Sequence, residues 1–89
     1  MLKRGMMIDL KDNVGIVLEL VSPGDTVDFG ALQLVAVDAV KPPHKMALID
    51  FQPGARIIKY GQPIGYATRA IRAGQWVHVH NLDAEQMMK

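Results

Sequence analysis

The sequence predicts an all-β fold, a compact domain of short, sharply bent strands. Three observations predict it. Glycine and proline interrupt the chain at short intervals, and the runs between them are rich in Val, Ile and Leu. Three segments, VSPGDTV (21–27), FQPGARI (51–57) and IRAGQWV (71–77), share one plan: an apolar residue, a glycine three positions on, and a β-branched residue three after that. No stretch keeps a helical period over three turns.

The elements follow in order. NVGIVLELV alternates at period two and puts Val14, Ile16, Leu18 and Leu20 on one side of a strand. VSPGDTV is a corner: proline fixes φ at the second turn position and glycine accepts positive φ at the third, as a type II turn requires. TVDFGALQLVAV alternates with a slip at Gly30, which predicts a tight turn or a bulge. KMALIDF, ARIIKYG and QWVHVHN are further short strands, with corners at Pro53-Gly54 and Ala73-Gly74. KYGQPIG (59–65) reads as a loop whose glycines let a backbone approach another molecule. The tail LDAEQMMK predicts a short C-terminal helix with Asp83 near its start as a cap.

Eighty-nine residues predict a single domain over 1–89, with a modest core and too few walls for a large enclosed pocket. A formal net charge of +1 argues against nonspecific nucleic-acid binding. The absence of cysteine excludes disulfides and thiolate chemistry. Asp9, Lys11 and Asp12 break up the N-terminal apolar residues, so neither a signal peptide nor a membrane span is expected, and the expected location is cytoplasmic. The charges are unevenly placed. Residues 1–40 set Lys3, Arg4 and Lys11 against six acids, whereas residues 41–72 set six bases against Asp50 alone. A surface built from the second stretch attracts small anions such as carboxylates, unless it is simply a solvated face.

Three clusters carry candidate chemistry. In GQWVHVHN, a strand would put Trp76, His78 and His80 on one face, about 7 Å apart at each step, with Val77 and Val79 toward the core. Two imidazoles at this spacing suit proton transfer, substrate contact or partial metal ligation; a complete metal site wants a third ligand, and the plain alternative is a solvent-facing pair. In KPPHKMALIDF, two prolines stiffen a loop that presents His44 and Lys45, either an anion clamp or a rigid surface turn. In KYGQPIG, Lys59, Tyr60 and Gly61 sit at the mouth of the loop. No Ser-His-Asp arrangement and no carboxylate pair stands out, and the acids of the first half look solvated.

Taken together, His44-Lys45, Lys59-Tyr60-Gly61, Ile64-Gly65 and Trp76-Val77-His78-Val79-His80-Asn81 resemble, in that order, the SAF-type N-terminal domain of altronate and galactarate dehydratases, the UxaA family. The likeness runs from about Asp12 to Leu82. It implies a β-clip fold. It also implies a domain that is either fused to a large catalytic domain or made as a separate small subunit, the latter suiting a short chain. The sulfolactate sulfo-lyase small subunit is similar, so the substrate stays open. The resemblance implies His44, His78 and His80 as catalytic candidates. It implies Lys45, Lys59, Tyr60, Gly61 and Asn81 as contacts to a sugar-acid substrate, with no metal ligand in this chain. A divalent metal, Fe²⁺ or Mn²⁺, would be bound mainly by the large subunit. One departure is Pro43, where the family usually has glycine; it removes a backbone donor from the loop.

Two other readings stand beside this one. The chain is a non-catalytic module that caps or dimerises its partner, with Trp76 as an interface anchor. Or it is a self-contained metalloenzyme built on His44, His78 and His80, for which the chain has few walls to exclude water. Exposed β edges in so small a domain also predict self-association, a homodimer by strand exchange.

Overall fold

The computed structural model describes residues 1–84, and these are all-β, with no helix among them. The strands are β1 (Leu2–Met6), β2 (Val14–Val17), β3 (Thr26–Asp28), β4 (Gln33–Val35), β5 (Lys45–Ala47), β6 (Arg56–Lys59), β7 (Gln62–Ala67), β8 (Trp76–Val77) and β9 (Leu82–Asp83). A six-stranded sheet runs β4-β3-β1-β2-β5-β8, and a three-stranded sheet runs β6-β7-β9. β1 pairs parallel with β3, and every other pairing is antiparallel. The curled, compact arrangement agrees with a SAF-like β-clip.

The three predicted corners are present. Gly24, Gly54 and Gly74 have φ of 92°, 88° and 93°. Each turn closes on the residue after its glycine: Asp25 N–H to Ser22 O, Ala55 N–H to Gln52 O and Gln75 N–H to Arg72 O, each at 3.0 Å. The structure adds a regularity that the sequence reading missed. Each corner clasps one alanine from another part of the chain. Gly24, Gly54 and Gly74 donate to the carbonyls of Ala36, Ala67 and Ala47 at 2.9, 2.7 and 2.8 Å. Those alanines donate back to Asp25, Ala55 and Gln75 at 2.8, 2.8 and 2.9 Å. All three alanines are buried, and the two-way clasp satisfies both of their backbone polar groups away from water.

The core falls into two clusters. The first gathers Val17, Val27, Phe29 and Met46, with Trp76 packed on its edge. Phe29 lies across Gly5 and Gly15; a Cβ on Gly15 would stand 2.5 Å from its ring, and one on Gly5 would meet the same ring. The second gathers Val14, Ala47, Ile57 and Val77. Asn13 ties the second sheet to the first: its side chain donates to Arg56 O at 3.0 Å and accepts from Ile58 N–H at 2.7 Å.

Several expectations need correction. The alternation of NVGIVLELV stops at Val17: all four residues of β2 are buried, whereas Leu18 and Leu20 are 43% and 59% exposed. KYGQPIG is not a free loop. Tyr60 (φ 57°) and Gly61 (φ 74°) form a two-residue hairpin turn between β6 and β7, of the mirror-image type that suits strand twist. QWVHVHN is a strand only through Val77, and Val79, expected in the core, is 81% exposed. The tail helix is displaced at its start, since Leu82 and Asp83 form β9; the remainder of that prediction lies outside the described residues. β1 was not expected, because Lys3, Arg4 and Gly5 interrupt its apolar pattern.

Candidate functional site

The site begins with the register of β5 on β8. Lys45 faces Val77 and Met46 faces Trp76, so the next pair outward is His44 and His78. Their ring centroids are 4.7 Å apart. The Trp76 indole stacks on His78 at 5.3 Å, with 13° between planes, and His80 lies 4.8 Å from the same indole. Trp76 Nε1–H donates to His44 Nδ1 at 3.0 Å. Four rings therefore form one group, although they come from two distant segments.

Each segment is shaped locally. His44 closes a turn by donating its N–H to Lys41 O at 2.8 Å, and the Pro42–Pro43 peptide within that turn is cis. The His44 carbonyl accepts from Val17 N–H at 3.0 Å, which anchors the turn to β2. On the other side, Asn81 ends the strand. Its Oδ1 accepts from His78 N–H and its Nδ2 donates to Trp76 O, both at 2.9 Å, and its own N–H reaches His78 O at 3.2 Å. The backbone is thereby folded into a turn, with His78 and His80 brought back over Trp76 and Val79 left at the tip. Asn81, expected as a substrate contact, is buried and both ends of its amide hold this turn. Asp38 supports the same strand by accepting from Trp76 N–H at 2.9 Å.

A groove of about 350 Å³ opens beside the rings, lined by Leu20, Ala39, Lys41, His44, Trp76 and His78. Its lining joins flat ring faces, two apolar side chains and one ammonium, a combination suited to a small anionic molecule with a carbon skeleton. Lys41 and Trp76 were not among the predicted site residues. The signal for Trp76 was its place two residues before His78; Lys41 needed the folded turn.

The other predicted residues do not join this groove. Side chains alternate along β5, so Lys45 takes the face of Ala47 and Val77, opposite that of Met46 and Trp76. Burial pushes the Lys45 ammonium below its ordinary 10.5, and the charge of Lys59 pushes the same way. Lys59 in turn lies over the Tyr60 ring, its Nζ 4.8 Å from the centroid. Lys45, Lys59 and Tyr60 thus form a second basic group, apart from the histidines.

Gly61, expected to approach another molecule, is approached by its own chain. Its N–H donates to Asp12 Oδ1 at 2.8 Å, and a Cβ there would stand 2.8 Å from Asp9 Oδ2. Asp12, read as solvated, is in fact buried. It also accepts from Ile8 and Asp9 N–H, each at 3.1 Å. Burial raises its pKa, but the N–H bonds from Gly61, Asp9, Ile8 and Tyr60 outweigh that and hold the carboxyl below its ordinary 3.8.

Among the described residues, no three His, Asp or Glu side chains converge on a metal position. His44 and His78 are packed ring to ring, His80 lies against the Trp76 indole, and Nδ1 of His44 is engaged by that indole. This donor set does not fit a resident divalent ion. No helix among the described residues is long and apolar enough to cross a membrane.

Comparison with known proteins gives a consistent result. Residues 3–85 match the family model of the altronate/galactarate dehydratase SAF domain. The chain is 43% identical over 70 residues to altronate dehydratase of Escherichia coli (strain K12), covering 79% of this chain and 14% of that protein. It is 34% identical over 80 residues to altronate dehydratase of Bacillus subtilis (strain 168), covering 90% of this chain and 16% of that one. It is 38% identical over 55 residues to (2R)-sulfolactate sulfo-lyase subunit alpha of Chromohalobacter salexigens, covering 62% of this chain and 58% of the subunit. The chain thus spans only about a seventh of the length of the altronate dehydratases it matches.

Proposed function

The chain belongs to the SAF-domain family of altronate and galactarate dehydratases, and we propose on that footing that it is the small subunit of a sugar-acid dehydratase of altronate type. The small-subunit reading draws support from the sulfo-lyase relative, which is itself named as a subunit and is matched over more than half its length. The observation that carries the catalytic reading is the gathering of His44, His78, His80 and Trp76 beside one groove that also holds Lys41.

The reaction removes the proton α to a carboxylate and expels the β-hydroxyl as water, leaving an enol that becomes a 2-keto-3-deoxy acid. It needs a base for the α-proton, an acid for the departing hydroxyl and positive charge near the carboxylate. In this proposal the imidazole cluster supplies the base for the α-proton, Lys41 attracts the carboxylate, and a large catalytic subunit closes the groove. In the same proposal the divalent ion, Fe²⁺ or Mn²⁺, is held mainly by that large subunit. Lys45 and Lys59 serve a second contact, to a distal part of the substrate or to the partner.

The test is co-expression with a large dehydratase subunit and assay of altronate dehydration. Loss of turnover in His44→Ala and His78→Ala supports the proposal; normal turnover in both removes the histidines from the mechanism. A second reading, a docking module without catalytic groups, is favoured by the exposure of Val79 and Leu20 beside the rings. It expects the same variants to weaken assembly while leaving turnover of the assembled complex intact.

A further inference from the structure

We infer that Trp76 is a positioning residue that fixes the tautomer of His44, so that His44 offers its Nε2–H to an anionic group in the groove and does not serve there as a base. This deepens the dehydratase reading and, for the ligand, rests on it.

The argument is one of donors and acceptors. An indole N–H donates and has no acceptor capacity, and a neutral imidazole carries one N–H and one lone pair. The Trp76 Nε1 to His44 Nδ1 contact of 3.0 Å is therefore a bond into the Nδ1 lone pair. The proton of the neutral ring then sits on Nε2. With its lone pair engaged and its other nitrogen protonated, His44 has nothing with which to accept a proton from a substrate carbon. What it does offer is a fixed N–H. The ring lines the groove with Lys41, so an N–H and an ammonium share one small space. A carboxylate, which accepts through both oxygens, suits that pair.

The other rings are free of such constraint. Among the described residues, no hydrogen bond is made by a ring nitrogen of His78 or His80; the bonds at that turn are made by backbone and by Asn81. His78 lines the groove and His80 does not. Any proton abstraction in the groove therefore falls to His78. Trp76 is itself held in place from two sides, by the Asp38 carboxylate on its N–H and by Asn81 Nδ2 on its carbonyl. A donor whose backbone is so tied makes a stable reference for the imidazole it meets.

The experiment is a long-range ¹H–¹⁵N spectrum of the imidazoles in the ¹⁵N-labelled chain, recorded above the histidine titration, for wild type and Trp76→Phe. Phenylalanine keeps a ring on the cluster and removes only the N–H. We expect wild-type His44 as a single Nε2–H tautomer, and in the variant an averaged pattern of both tautomers, with His78 unchanged. A protonated Nδ1 in wild type overturns the inference even if the variant does not fold. An unchanged His44 pattern in a folded variant overturns it as well. These readouts need no partner subunit, so they stand apart from the dehydratase reading. In the complex, Trp76→Phe should raise KM for altronate more than it lowers kcat. An unchanged KM would remove the anion-binding role while leaving the tautomer assignment in place.

Discussion

Trp76 and His44 lie 32 residues apart in sequence and meet through a 3.0 Å hydrogen bond, indole N–H to imidazole Nδ1. The bond joins the start of β8 to the proline turn before β5, and it makes the cluster of rings a unit. If the proposed dehydratase function holds, His78→Ala in a complex with a large dehydratase subunit should lower kcat by about 10²- to 10⁴-fold, the contribution of a general acid or base. Steady-state assay at saturating altronate reads it. His44→Ala, as the loss of a donor, should fall more heavily on KM.

Asn81→Ala should unfold the site before it affects binding. It leaves His78 N–H and Trp76 O without partners in a partly buried place, at a cost of about 2 kcal/mol. In a domain of this size that is a drop in Tm of roughly 10 °C. A melt of the chain by itself checks it; an unchanged Tm would return Asn81 to the list of substrate contacts.

Asp12 ties the segment before β2 to the Tyr60–Gly61 turn, and its folded-state pKa lies below 3.8. Its stabilisation is complete above the unfolded-state value and is lost as pH falls through the folded one. Asp12→Asn should therefore cost stability at pH 7 and flatten the acid limb of the stability curve. Glu19 and Asp25 are also lowered, chiefly by backbone N–H bonds from Arg4 and Ser22, so the informative quantity is the difference between variant and wild type. Urea titrations between pH 2 and 6 measure it.

Lys45 runs the other way. Its folded pKa is below 10.5, so its charge opposes folding at neutral pH, and the penalty is relieved as pH rises through the folded value toward 10.5. Lys45→Met should raise Tm at pH 7 and abolish that alkaline gain. If Lys45 also contacts substrate or partner, the stabler variant should be the poorer enzyme, which paired melting and activity assays would reveal.

The three corner glycines should differ. A Cβ on Gly24 or Gly54 meets nothing within 4 Å, so alanine there carries only the strain of positive φ, about 1–2 kcal/mol. A Cβ on Gly74 meets the Val35 carbonyl and lies 3.2 Å from Val37 N, so the backbone itself must move. Chemical denaturation of the three alanine variants should rank Gly74→Ala as clearly the most damaging.

The corners were legible because Pro-Gly and positive φ are local properties. The grouping of His78 and His80 with Trp76 was expected too, but for a different reason. A continuous strand was assumed, whereas the Asn81 amide ends it and folds the histidines back. Turn chemistry overrode alternation, and the exposure of Val79 records it. What stayed hidden depends on long-range register. Nothing in the sequence announces that Lys45 faces Val77, from which the meeting of His44 with His78 follows. The same register sends Lys45 to the opposite face, so neighbours in sequence became members of separate groups. Asp12 looked like any solvated acid because its donors come from Gly61 as well as from nearby residues.

The third corner has alanine where the other two have proline, and Ala73 N–H donates to Asp50 Oδ1 at 2.8 Å. A designer harmonising the three repeats would write proline at 73, a change that often strengthens loops by limiting the unfolded chain. Here it would delete a donor and break its bond to Asp50, cutting the mooring just upstream of the tryptophan and its histidines. Thermostabilised versions of this domain should therefore leave that one position alone.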